Sequence, residues 1–504
     1  MKSLKCATFA DEVQIVNVES SFLRGLPGFS VVGLANTTIK ESENRIKAAL
    51  LNQNFNFPPQ KIVINLSPSD IPKRGSHFDL AIALLIALQK ENFDEDFFVF
   101  GELGLSGELK STNSLFSTLL FLSQKVKYAR ILVPKNIALK ASSIPNFEVY
   151  AVENLDEALK FFSDDEFKNN SLVSSMHPLF KNCIEINNQK FVPNFNFNFD
   201  FLDIKGQDRA KRACLIATCG MHNILFEGSP GSGKSMCAKR LVYIMPPQSI
   251  NEVLLTTAYE SLNNKEIEFS AIRPFRNPHH TSTRSSIFGG GSHSAKIGEV
   301  ALANGGVLFF DEFPHFGKKI LESLREPLED NKILISRVNS KVCYETKFLF
   351  VAAQNPCPCG NLFSKKSSCV CSEMEIKRYK STISSPILDR IDIYVAMDEI
   401  DKNDKSTISS KEMYEQVLDV FKIQKSRGQK ELNGKMSDTE INRFCILENS
   451  AKEALEQAIS KFNLSQRGIN KALKVARSIA DLSKSEIIMK NHILESLSFR
   501  QRGA

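Results

Sequence analysis

The stretch NILFEGSPGSGKS (223–235) sets a glycine-rich turn between an apolar run and a helix-forming one. It fits the spacing G-x-x-x-x-G-K-[ST] at Gly228, Gly233, Lys234 and Ser235. Glycines let successive backbone N–H groups turn inward around an anion, and the following helix aims its positive end at the same place. Gly228, Ser229, Pro230, Gly231, Ser232 and Gly233 are therefore expected to cradle the phosphates of ATP. Lys234 is expected to reach the β- and γ-phosphates and Ser235 to ligate Mg2+. The run VLFFDE (307–312) has the four apolar residues of a buried parallel strand and ends in two acids. That end of a parallel sheet faces the ligand crevice. Asp311 is expected to hold the Mg2+ through its water, and Glu312 to polarise the attacking water as general base. A third apolar run, KFLFVAAQN (347–355), ends in Asn355. Its neutral amide can orient the same water without adding charge; a turn-forming Asn before Pro356 is the alternative.

Bringing these residues together requires an α/β domain with a parallel sheet. The chain has 504 residues, enough for about three domains. Residues 1–165 alternate strand-like runs, FSVVG (29–33), KIVINL (61–66), ARILVP (129–134) and FEVYAV (147–152), with helix-like ones, Ile39–Leu51 and Phe78–Leu88. Residues 166–200 turn rich in Asn and Phe and read as a linker, part of it packing as an edge strand. Residues 201–401 carry the phosphate motifs. From 402 the pattern is helical, with apolar residues at spacings of three and four in Met413–Gln424, Asn449–Phe462 and Ile469–Leu482.

Hydrophobic residues make up 42% and charged residues 24%, which supports a folded core. The net charge of +7 is compatible with nucleic acid and equally with a basic solvated surface. No run of about 18 apolar residues occurs, so no membrane span is expected. The opening MKSLKCATFADEV lacks the apolar centre of a signal peptide, and 11 cysteines form no even framework. A cytoplasmic location is the expectation.

Cys357, Cys359, Cys369 and Cys371 form C-P-C-G-x8-C-x-C. Four thiolates so close could hold Zn2+ tetrahedrally; four reduced thiols is the other reading. The segment RPFRNPHHTSTRSSIFGGGSHSAKIGEV (273–300) carries Arg273, Arg276, Arg284 and Lys296, and a basic hairpin ISRVNSKVCYETK spans 335–347. Basic loops of this kind track a phosphate backbone without reading bases, or merely hold an assembly together. His279 and His280 are open to packing, phosphate binding or metal ligation.

The order of these strand ends resembles that of AAA+ ATPases. The wording GQDRAKRACLIATCGMHNILFEGSPGSGKS, RPFRNPHHTST, GVLFFDEFPHF, AAQNPCPCG and SSPILDRIDIYV is similar to the magnesium-chelatase-like AAA+ proteins of the ComM/YifB family. GLPGFSVVGL, INLSPSDIPKRGSHFDLAIAL and FGELGLSGEL resemble that family's Lon-protease-like N-terminal domain, and LSQRGINKALKVARSIADL its helical C-terminal lid. The resemblance implies an arginine finger at Arg390, given in trans by a neighbouring subunit, and hence a homo-hexameric ring. It implies a second sensor at Arg467, with Arg477 a weaker candidate, and an adenine pocket beginning at Ile204 and Gly206. It also implies a DNA helicase promoting branch migration in natural transformation; ATP-driven remodelling of a protein or chelatase-type complex is the alternative. Proteolysis is not expected: Lon-type chemistry needs a Ser–Lys pair, and the segment after GELGLSGEL has Phe116 and Thr118 where the lysine should stand. Lys110 comes too early, leaving Ser76 as an ordinary hydroxyl, expected to cap a helix.

Overall fold

The structure is a computed structural model. It describes residues 2–500 except 10–11, 35–36, 56, 264–267, 291–295, 337–340, 365 and 402–403. The chain divides into two compact units, residues 1–181, 257–269 and 337–342 in one, and 182–256, 270–336 and 343–504 in the other.

The first unit is built on a seven-stranded mixed sheet. Its order is Gly28–Val32, Lys61–Ser67, Val13–Leu23, Lys2–Phe9, Phe98–Val99, Ala129–Pro134 and Phe147–Val152. The two N-terminal strands pair antiparallel from Lys2↔Ser20 to Phe9↔Val13. Their half-buried alternation is diluted by polar residues, so the sequence does not single them out. The helix Asp79–Ala87 is apolar on all sides after its first residue and is correspondingly buried. Buried Asp79 is matched by Arg45, 3.0 Å away.

Ser76 does not cap that helix. Its hydroxyl bonds the Glu102 carboxylate instead, and the helix start has no side-chain cap. Lys110 pairs with Glu108 at 2.6 Å, and the Lys73 ammonium donates to the Pro68 carbonyl. Ser76 is therefore hydrogen-bonded to an acid and not to a lysine.

The second unit carries a five-stranded, all-parallel sheet. In spatial order its strands are Phe275–Arg276, Val307–Phe310, Leu349–Gln354, Ile224–Gly228 and Ile393–Met397. The strand first in sequence lies between the fourth and fifth, so the strand order reverses beside it. Register aligns Phe310 with Ala352 and Glu227 with Gln354. Residues 228, 311–312 and 355 thus leave the sheet together at its carboxyl edge. Nearly continuous apolar runs make Val307–Phe310 and Leu349–Gln354, and both are fully buried.

Residues 182–200 belong to this unit. Ile184–Ile186 and Gln189–Val192 form a hairpin that adds to Gln248–Ser249, and Phe191 enters the core. The helices Ser410–Ser426, Asn449–Phe462, Gln466–Leu482 and Lys490–Ser498 complete the unit. Arg477, the weaker sensor candidate, is engaged inside this unit. It is fully buried and shares Asp481 with Arg427, while Asn433 donates to the same carboxylate at 2.8 Å. Burial of that charge is tolerated because every lone pair is matched. Among the described residues no helix is long and apolar enough to cross a membrane.

Candidate nucleotide site

The phosphate loop starts where the strand Ile224–Gly228 ends. A Cβ at Gly228 would stand 2.6 Å from the Met397 carbonyl oxygen, so only glycine fits between these strands. Gly233 has φ +94°, the left-handed turn that starts the helix Lys234–Leu241. Pro230 and Gly231 are exposed at the tip. The buried hydroxyls of Ser229 and Ser232 have no hydrogen-bond partner among the described residues. Two orphaned hydroxyls in a glycine-rich turn are donors that a polyphosphate can satisfy.

Lys234 lies across this loop. Its ammonium donates to the carbonyls of Gly228 at 2.6 Å and Ser229 at 2.9 Å, and to Asn355 Oδ1 at 3.2 Å. Burial lowers its pKa, opposed by Asp311 and Glu227. Ser235 Oγ donates to Asp311 Oδ2 at 2.8 Å, so the two residues expected at Mg2+ meet across two strands. A hydroxyl beside a carboxylate is a hard oxygen pair suited to that ion. Asp311 Oδ1 accepts the Glu312 amide at 3.0 Å. Glu312 itself has φ +52°, a left-handed conformation costing a non-glycine residue roughly 1–3 kcal/mol and typical of functional positions. That turn leaves its side chain half exposed, 3.3 Å from His280 Nδ1.

Beside Gly233, the closest atoms to an added Cβ belong to Met397, Ile400 and Ile204, each within 4.0 Å. Ile204 is buried, so these three residues form an apolar wall next to the loop. The Gly206 amide donates to the Lys405 carbonyl at 3.0 Å, closing the same corner.

Three family descriptions match successive parts of the chain. "Subunit ChlI of Mg-chelatase" matches residues 18–137, "Magnesium chelatase, subunit ChlI" residues 200–405, and its C-terminal part residues 407–500. The Competence protein ComM of Haemophilus influenzae is 35% identical over 98% of this chain and 96% of its own length. Proteins named YifB from Escherichia coli and Salmonella typhimurium are 33% and 32% identical, each over 96% of this chain and 94% of their own. The chain belongs to the magnesium-chelatase-like AAA+ family, in its ComM/YifB branch.

Membership in this AAA+ family makes ATP and Mg2+ the expected ligands of the loop and acids just described. The two arginines that the family resemblance singled out converge on one carboxylate. Arg390 Nη2 and Arg467 Nη2 each pair with Glu329, the latter at 2.6 Å. Neither Asp389 nor Asp392 is the ion-pair partner of Arg390. Burial, then Arg467 and Arg325, lower the Arg390 pKa, and its Nε is buried without a partner among the described residues.

Two of the four basic residues expected to face a polyanion are committed inside the fold. Arg273 is buried, paired with Glu252 at 2.9 Å and donating to the carbonyls of Pro246, Pro247 and Gly305. Arg276 holds Glu299 through two bonds, at 2.5 and 2.9 Å. Arg284 and Lys296 are exposed. The tip of the basic hairpin, residues 337–340, lies outside the described residues, as do residues 291–295.

Sequence reasoning missed Glu227, Tyr379 and Glu329, and left His280 undecided. Glu227 is buried at the end of the loop strand, accepting from Gln354 Nε2 at 3.1 Å and from the Tyr394 hydroxyl. Burial raises its pKa. An acid immediately before the glycine loop was the one available signal.

The four clustered cysteines come together. Sγ–Sγ distances are 3.4 Å for Cys357–Cys359, 3.7 Å for Cys357–Cys369 and 3.6 Å for Cys359–Cys369. All four sulfurs, Cys371 included, lie within 4.8 Å of one another. Amides of Asn361 and Val370 pull the Cys359 thiol down to about 6.

Proposed function

We propose that this chain hydrolyses ATP and couples the hydrolysis to movement on DNA. The observation that carries the ATPase reading is the meeting of Lys234, Ser235, Asp311 and Asn355 around one glycine loop. Residues 228–233 bind the triphosphate through backbone N–H groups, and Lys234 exchanges loop carbonyls for phosphate oxygens. Mg2+ on Ser235, and through water on Asp311, would neutralise charge on the β- and γ-oxygens. Glu312 takes the proton of the attacking water, His280 holds its carboxylate, and Asn355 orients that water. Ile204 and Gly206 border the adenine. Arg390 serves the nucleotide of a neighbouring copy, which makes the working form a ring, a hexamer in this reading, and Arg467 senses γ-phosphate loss; Glu329 is the counter-ion both exchange for phosphate. The four-cysteine cluster is read as a structural Zn2+ site.

The DNA reading is supported by the net charge of +7, by exposed Arg284 and Lys296, and by the likeness to a protein named for competence. It makes the chain a helicase or branch-migration factor. Remodelling of a protein or chelatase-type complex is the second reading, favoured by the ChlI matches. ATPase rates with and without single-stranded and forked DNA separate the two. Stimulation with strand displacement supports the DNA motor; no binding and no stimulation refute it.

A further inference from the structure

We propose that one Zn2+ on Cys357, Cys359, Cys369 and Cys371 clamps Asn355 at the nucleotide site, so that metal occupancy sets the rate of ATP hydrolysis. This rests on the ATPase and zinc readings above. A tetrahedral site with Zn–S bonds of about 2.3 Å has sulfur–sulfur edges of about 3.8 Å. The three sulfur–sulfur edges of 3.4–3.7 Å fall just inside that, and far outside the roughly 2.05 Å of a disulfide. Three ligands are half exposed, leaving the cluster open to metal exchange, while Cys357 is buried.

The position of the cluster gives it a task. Cys357 stands two residues after Asn355, and Pro356 between them fixes the backbone. The next turn is closed by the Gly360 amide on the Cys357 carbonyl at 3.0 Å. Gly360 has φ +81°, and a Cβ there would stand 2.7 Å from the Pro230 ring, so this turn lies against the tip of the phosphate loop. At the other end, Cys371 leads into Ser372, which caps the helix Glu373–Lys380 through a capping box. The Asn355 backbone amide acts on the hydroxyl of Tyr379 in that helix, opposing the rise that burial gives its pKa. The chain therefore leaves Asn355, passes through the cysteine cluster and enters a helix whose Tyr379 comes back near Asn355. Between 356 and 371 no described residue is in a helix or strand. No helix or strand ladder stiffens this loop, and a four-bond metal cross-link would.

A displacement of about 1 Å in a positioning group can cost roughly 100-fold in rate. The expected result is a kcat lowered 10- to 100-fold on zinc removal, with KM for ATP changed less than threefold. The test uses the full chain. Zinc per chain is measured on freshly reduced wild type, Cys359→Ser, Cys369→Ser and, as control, the exposed Cys343→Ser. Kinetics are measured on each, on chelator-treated wild type with and without added Zn2+, and on Asn355→Ala before and after chelation. One zinc per wild-type chain, loss in both cluster variants, recovery of kcat on adding Zn2+ to wild type, and no further loss in chelated Asn355→Ala support the clamp. Absence of zinc overturns the metal site. Zinc whose removal leaves kcat unchanged, or lowers Asn355→Ala as much as wild type, overturns the clamp and leaves the metal site standing. A wild type that binds zinc and does not hydrolyse ATP refutes the ATPase reading instead.

Discussion

Replacing Lys234 by Ala removes a charge that bonds two loop carbonyls and Asn355 and is attracted by Asp311 and Glu227. The ammonium has three N–H donors and three acceptors within 3.2 Å. With a triphosphate in the loop, two of those donors turn to β- and γ-oxygens. Hydrogen bonds to charged groups contribute about 1.5–3 kcal/mol each, and a unit charge 3 Å from a phosphate oxygen at an effective dielectric of 20 about 5 kcal/mol. Desolvation of the buried lysine offsets part of this. The net loss is roughly 3–5 kcal/mol, a 10²- to 10⁴-fold fall in kcat/KM for ATP. The fold should survive, because truncation of a single side chain here costs about 1–2 kcal/mol. Steady-state hydrolysis, fluorescent-nucleotide binding and the melting midpoint measure the three quantities. A fall in kcat/KM of less than tenfold would refute the assignment of Lys234 to the phosphates. So would a loss of activity that merely follows unfolding.

Glu312→Gln keeps shape and removes the base; turnover should fall roughly 10²- to 10⁴-fold while nucleotide affinity stays within a few-fold, and unchanged turnover assigns the base elsewhere. Mixing Lys234→Ala with Arg390→Ala protein should restore ATPase activity above the sum of the two, since each supplies what the other lacks; absence of any gain argues against a finger given in trans. Burial pushes His77 and His222 down to about 4, against about 6.5 unfolded. The unfolded chain then binds more protons between those values, so stability falls as pH drops from 6.5 towards 4, by up to roughly 3 kcal/mol per histidine. A melting midpoint that stays flat over that range contradicts it.

Local chemistry was legible in the sequence wherever one segment carries its own geometry. The glycine spacing at 228–233, the apolar runs ending at Asp311 and Asn355, and the fourfold cysteine set each needed only backbone rules and short-range spacing. The strands at Lys2–Phe9 and Val13–Leu23 were not legible, because their polar faces mask the alternation. Neither were the partners of charged residues. Nothing within a few residues of Arg273 or Arg276 says that Glu252 and Glu299 will occupy them, or that Arg427 will share Asp481 with Arg477. Nor does it say that Arg390 and Arg467, 77 positions apart by their numbers, will meet on Glu329. The same holds for His280 beside Glu312 and Tyr379 beside Asn355. A guanidinium or an imidazole looks alike in sequence whether it faces water, an ion pair or a ligand. Its role is set by which long-range contacts desolvate it, and those form only when the sheet and helices close around it.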